Sequence, residues 1–275
     1  MKSIKDIVSI DFSKGLPEDL STSEKAKFLH KSQPDEARFL CNICEDRGIV
    51  LEGETARPCK CMKLKKLENQ FRHARISRAL QNCTFESFMF TYYLSGDSFD
   101  RSHYENAQKA FNAAKEFVSD YLKNPFGLGL LFTGPVGSGK TYLAASIANA
   151  LTAEGQQTLF LVVPDLLDEL RATFKTEVNE LDLLDTAREI PLLILDDLGA
   201  HNYTDWTRNR LYSIINYRMN EHLPTIVTTN LTLDEMEEYL GARTTSRLIQ
   251  TSRIFRLTVD VDIRHRKYQE REGKK

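Results

Sequence analysis

Residues 129–141 read GLLFTGPVGSGKT, an apolar run, then a glycine-rich turn ending in lysine and threonine. Within it, Gly134, Pro135, Val136, Gly137, Ser138, Gly139, Lys140 and Thr141 match the pattern G-x-x-x-x-G-K-[ST] in full. The pattern carries a mechanism. Glycines let the backbone fold around a phosphate chain with its N–H groups aimed inward, and the start of a following helix adds partial positive charge. The lysine reaches the β- and γ-phosphates, and the threonine hydroxyl ligates Mg²⁺. The context fits, because an apolar run precedes the turn and Tyr142–Leu151 is patterned as a helix. The stretch is therefore read as a site for ATP and Mg²⁺.

Outward from this turn, short apolar runs fall at 129–132, 158–163, 192–195, 225–228 and 254–257. Helical stretches of about 10 to 18 residues separate them, the signature of a parallel sheet buried on both faces. The expected fold is a three-layer α/β P-loop domain. Thr204–Glu221 reads as an amphipathic helix carrying Leu211, Ile214, Ile215 and Arg218. Leu192–Leu195 runs into Asp196 and Asp197, so an acidic site is expected on a strand neighbouring the phosphate turn. Asp196 is assigned to Mg²⁺, and Asp197 to orienting or deprotonating the attacking water. Aspartate is one methylene shorter than the glutamate common at that second position, which points to slow hydrolysis.

Four of the five cysteines lie in 41–61: Cys41 and Cys44, then Cys59 and Cys61. Four thiolates can close a tetrahedral Zn²⁺ site, and a zinc module is expected here. Cys83 stands apart and reads as a buried thiol. From Arg57 to Arg78 there are eight Lys or Arg against one acidic residue, with Leu64, Leu67, Phe71 and Ala74 at helical spacing. A basic amphipathic helix is expected over 62–80, either a solvated face or a phosphate-contacting one. Overall charge gives no nucleic-acid signal: 37 basic and 39 acidic residues leave a net −2, so any such signal is local. No apolar run approaches the roughly 18 residues of a membrane helix, and the N-terminus lacks a signal-peptide core. A cytoplasmic location with no membrane partner is expected.

Together these motifs resemble the AAA+ ATPases, and within them the bacterial helicase-loader group of the DnaC and DnaI type. The IstB transposition ATPases are close relatives of that group. The resemblance rests on TFESF at 84–88, the glycine-rich turn, Asp196–Asp197, YSIINYR at 212–218, PTIVTTN at 224–230 and RTTSRL at 243–248. It implies a short helical lid. It also implies that Asn230 senses the γ-phosphate, that Arg264 opens the last helix as a second sensor, and that Arg247 is an arginine finger. Arg243 is a possible support or substitute for Arg247. A finger serves the neighbouring subunit's ATP, so self-association in a ring or filament follows. Gram-positive loaders carry a similar cysteine module. The resemblance thus divides the chain into a partner-binding region, 1–82, and an ATPase domain, 83–275.

The function so implied is ATP-dependent loading of a replicative hexameric helicase onto single-stranded DNA. Two alternatives stand beside it: an IstB-like ATPase that regulates a transposase, and a nucleotide-switched adaptor with little turnover, for which Asp197 is the warrant. The few residues after Arg264 leave sequence-specific duplex recognition unexpected.

Overall fold

The computed structural model describes residues 43–44, 47–52, 55–59, 62, 74–94, 101–172, 180–200 and 203–273. They fall in two compact units, within Met1–Cys61 and Met62–Lys275.

In the first unit, β1 (Ile49–Glu52) and β2 (Thr55–Pro58) form an antiparallel hairpin that pairs Ile49 with Pro58 and Glu52 with Thr55. The Cys59 N–H donates to Gly48 O at 2.8 Å, which closes the open end of the hairpin. Cys44 and Cys59 are both buried. Cys41 and Cys61 lie outside the described residues.

In the second unit, each expected apolar run becomes a strand. The elements are α1 (Arg101–Lys123), β3 (Gly129–Thr133), α2 (Lys140–Ala153), β4 (Thr158–Val162), α3 (Val163–Ala172) and α4 (Glu180–Glu189). They continue with β5 (Leu192–Leu198), α5 (Asp205–Asn220), β6 (Thr225–Thr229), α6 (Leu233–Leu240), α7 (Ala242–Thr251), β7 (Ser252–Arg256) and α8 (Ile263–Glu272). All strand pairs in this sheet are parallel, and the order is β4-β5-β6-β3-β7. One expectation needs correction: the Asp196 strand does not neighbour the phosphate-turn strand. β6 lies between them, because the chain passes from β5 through α5 into the gap beside β3.

The central strands carry apolar residues on both faces because these faces feed two cores. Leu130, Phe132, Phe160, Ile194 and Ile226 face one side, with Leu143, Ile147 and Leu151 of α2 and Ala107, Ala110 and Ala114 of α1. Leu131, Leu159, Leu161, Leu193, Leu195 and Val227 face the other, with Leu166 and Leu170 of α3, Leu211 and Ile214 of α5, and Leu248 of α7. This alternation is the period-2 geometry of a strand, read out on both faces of a three-layer fold.

The expected helix over 62–80 is described only at Met62, which is helical, and at 74–80, which is not. Residues 63–73 lie outside the described residues, and Ala74–Leu80 runs through turns. Ala74 and Ile76 are buried in the first core, and Ala74 O accepts from Phe160 N at 2.8 Å. This bond to the edge strand β4 gives the Ala74 carbonyl its partner outside a helix. Arg75 is spent on a two-oxygen contact with Glu169, at 2.7 and 3.0 Å.

The amphipathic reading of α5 holds, and it buries a cation: Arg218 is 1% exposed. Its guanidinium donates to the carbonyls of Arg188, Ile190 and Pro191 around the end of α4, to Pro224 O, and to Thr225 Oγ1. Carbonyls at a helix C-terminus carry partial negative charge and stabilise a cation. Burial lowers its pKa to about 9, so it stays charged at neutral pH. The one side chain thus joins α4, α5, β5 and β6 at the base of the sheet. Arg218→Met strands several buried carbonyls and should cost about 3–5 kcal/mol in urea unfolding. Arg218→Lys should recover only part of that, since one ammonium cannot fork as a guanidinium does. A loss below about 1 kcal/mol for the Met variant would contradict this role.

Candidate nucleotide site

The phosphate turn links β3 to α2, and Gly139 immediately precedes the helix with a left-handed φ of 92°. Two glycines combine a left-handed backbone, strained for any other residue, with close neighbours. At Gly137, with φ 72°, a Cβ would lie 2.0 Å from the Asp262 carboxylate. At Gly139 a Cβ would lie 2.5 Å from the Tyr93 hydroxyl, which donates to Ser138 O at 2.7 Å. The turn is therefore gripped from both sides. Tyr93 comes from a 3₁₀ turn at Phe90–Tyr93, and Asp262 caps α8 by accepting from Arg264 N at 2.7 Å.

Lys140 opens α2 and is 6% exposed. Its ammonium donates to Gly134 O at 2.8 Å and Pro135 O at 2.7 Å. Among the described residues no carboxylate lies within ion-pair distance of it. Burial lowers its pKa to about 8, against the opposing pull of Asp197 and Asp196. A buried cation held only by neutral oxygens calls for an anionic ligand, and the phosphates of ATP fit that need.

The acidic pair sits where β5 departs from regular pairing with β6, between Leu195 and Leu198. Asp196 is 6% exposed, and burial raises its pKa, with two hydroxyls pulling the other way. Its Oδ1 accepts from Thr141 Oγ1 at 2.8 Å and from Thr228 Oγ1 at 2.6 Å. These hard oxygens are the donor set that suits Mg²⁺. Asp197 adopts a left-handed φ of 59°, uncommon for a non-glycine residue, and its Oδ1 accepts from Asn230 Nδ2 at 3.1 Å.

Lys140, Thr141, Asp196, Asp197, Asn230 and Arg264 all line one cleft of about 700 Å³, together with Val136 and Gly137 of the turn. Its far wall comes from 79–93 and includes Phe88, Tyr92 and Tyr93. Cys83 is buried there, and burial raises its thiol pKa. Arg247 stands apart from the cleft lining, on α7; its Nε donates to Asn216 Oδ1 of α5 at 2.8 Å. Arg243 is exposed on the same helix.

Three contributors escaped the sequence reading. Thr228 lies inside the PTIVTTN stretch, and only the strand pairing reveals that its hydroxyl meets Asp196. Asp262 carries a visible signal, an aspartate just before a helix. Tyr93 carries none, since its role depends on a contact 45 residues away in sequence.

The sequence pattern of the family described as "IstB-like ATP binding protein" matches residues 63–274. This chain belongs to the IstB-like ATP-binding family. It is also similar to the protein named "Replicative helicase loader DnaC" of Escherichia coli K12, at 26% identity over 205 residues covering 74% of this chain and 77% of that one. "Replicative helicase loader DnaI" of Bacillus subtilis is 26% identical over 210 residues, covering 72% of this chain and 67% of that one. A solved structure titled "Crystal structure of the DnaC helicase loader" superposes with a TM-score of 0.54 at 27% identity, covering 67% of this chain and all of that one.

The buried lysine makes nucleotide binding depend on pH. Phosphates favour the charged ammonium, so binding should return Lys140 towards its ordinary lysine value. Below pH 8 the free chain already holds the proton and takes up little. Around pH 8 about half a proton should be taken up on nucleotide binding, rising as pH climbs further. Calorimetry of nucleotide binding in buffers of different ionisation enthalpy measures this directly. Uptake that stays flat from pH 7 to 9 would rule out a depressed Lys140.

Proposed function

We propose that this chain is an ATP-dependent loader that places a replicative hexameric DNA helicase onto single-stranded DNA. The observation that carries the reading is the similarity to two proteins named replicative helicase loader, each over more than 200 residues. The nucleotide cleft supplies the physical basis. Bound Mg²⁺–ATP would provide a phosphoanhydride bond whose cleavage drives the cycle. Lys140 and the turn N–H groups hold the β- and γ-phosphates, and Thr141 and Asp196 hold the metal. Thr228 keeps the Asp196 carboxylate in place from β6. Asp197 orients the attacking water and accepts its proton, with Asn230 fixing the carboxylate. Arg264 neutralises phosphate charge from the start of α8. Asp197 is short and held in an unusual backbone conformation, which suits modest turnover.

Arg247 serves a neighbouring copy's cleft, as an arginine finger in a ring or filament. Its position outside the lining of its own cleft supports a role in trans. The region 1–82 holds the helicase, and 83–275 uses ATP and contacts DNA. Cys41, Cys44, Cys59 and Cys61 bind one Zn²⁺ per chain, a reading supported by the burial of Cys44 and Cys59 beside a hairpin. Regulation of a transposase is the second reading, and it rests on the resemblance to the IstB transposition ATPases.

A pull-down with the full chain decides between the two: the replicative helicase of the same organism should co-purify, and a transposase should not. Capture of the transposase alone would reverse the assignment. Metal analysis of chain purified without added zinc should give about one zinc per chain, lost on Cys44→Ser. A folded chain that contains no zinc would end the metal reading.

A further inference from the structure

Tyr212 and Asn216 are four residues apart, one turn of α5, and therefore share one face of that helix. Both are half-buried, and that face meets Arg247 of α7. The Arg247 guanidinium lies over the Tyr212 ring at 4.8 Å from its centroid. Its Nε donates to Asn216 Oδ1 at 2.8 Å. Among the described residues, neither Nη has a hydrogen-bond or ion-pair partner. The guanidinium is thus held by its face and its inner nitrogen, while the outer fork is left open. An aromatic face attracts a guanidinium by cation–π interaction, and a pre-set fork loses less side-chain freedom when it meets a planar anion.

We propose that Tyr212 and Asn216 are positioning residues for Arg247: they preset its outer nitrogens to take the terminal phosphate of ATP bound to a second copy of this chain. The inference rests on the trans role of Arg247 given above and adds the two residues that aim it. A guanidinium on a long, unbraced side chain samples many rotamers, and each misdirected one lowers the fraction of interfaces ready for catalysis. The brace acts on the rate of hydrolysis and leaves nucleotide binding to the cleft alone.

The test is ATP hydrolysis by the full chain at a concentration where it assembles, with nucleotide affinity and melting temperature measured on the same samples. Asn216→Ala and Tyr212→Leu should each lower kcat about 10- to 100-fold, with KM, affinity and melting temperature unchanged. Asn216→Asp keeps the acceptor and Tyr212→Phe keeps the ring, so both should stay near the wild-type rate. The Asn216→Ala, Arg247→Ala double variant should be no slower than Arg247→Ala, because a brace without its arginine does nothing. If one truncation lowers the melting temperature, judgement passes to the other; if both do, the residues are structural and the proposal falls. Arg247→Ala impaired while both truncations hydrolyse at the wild-type rate would overturn the brace and leave the finger standing. Arg247→Ala at the wild-type rate would remove the finger, and the brace with it. A double variant slower than Arg247→Ala would show the two residues acting elsewhere and would also overturn the proposal.

Discussion

The nucleotide site depends on a single oxygen atom. Asp196 Oδ1 receives the Thr141 hydroxyl from α2 and the Thr228 hydroxyl from β6, while its own backbone belongs to β5. Three elements from separate parts of the chain meet at this atom. Burial opposes ionisation of the carboxylate, and the two hydroxyls counter it. Moving β6 out of register by one residue would turn Thr228 to the opposite face of the sheet. The strand order therefore does chemical as well as architectural service. By inserting β6 between the phosphate strand and the acidic strand, it places one side chain where it can steady Asp196. Such crevices beyond the carboxyl ends of parallel strands are where open α/β sheets commonly bind ligands.

The parts of this arrangement that were legible in the sequence are those with local causes. The glycine-rich turn is legible because backbone geometry around phosphates demands its residue types at fixed spacing. The five strands are legible because burial on both faces turns them into continuous apolar runs. Asp196 and Asp197 stand out as carboxylates ending such a run. What stayed hidden depends on distant partners. The long helix α1 buries Ala107, Ala110 and Ala114, small residues that make little apolar pattern. The helical spacing of the basic stretch ends at Ala74, whose carbonyl is claimed by the edge of β4. Tyr93 looks like any aromatic residue until the phosphate turn is folded beneath it.

The arginines make the same point with one residue type. Arg75 faces Glu169, Arg218 faces carbonyls, Arg247 rests on a ring, and Arg264 points into the cleft. In the sequence all four are cations on polar or amphipathic stretches. Only the neighbours that folding supplies separate a structural ion pair from a helix-end clamp, a braced guanidinium and a cleft-lining charge. The resemblance of RTTSRL and YSIINYR to a known family flagged two of these segments together. The packing of α7 on α5 gives the physical reason they belong together: one segment carries the arginine and the other holds it.

The buried guanidinium at the base of the sheet has a practical consequence for mapping contacts with polyanions. An alanine survey that ranks basic residues by lost nucleotide binding would place Arg218 near the top, although it is shielded from solvent. The loss would register the collapse of the scaffold, with the true contact residues ranked below it. Thermal melting of every variant, read beside the binding data, separates the two kinds of hit. For this chain, a count of positive charges overstates the electrostatic surface wherever a lysine or arginine is enclosed by carbonyl oxygens.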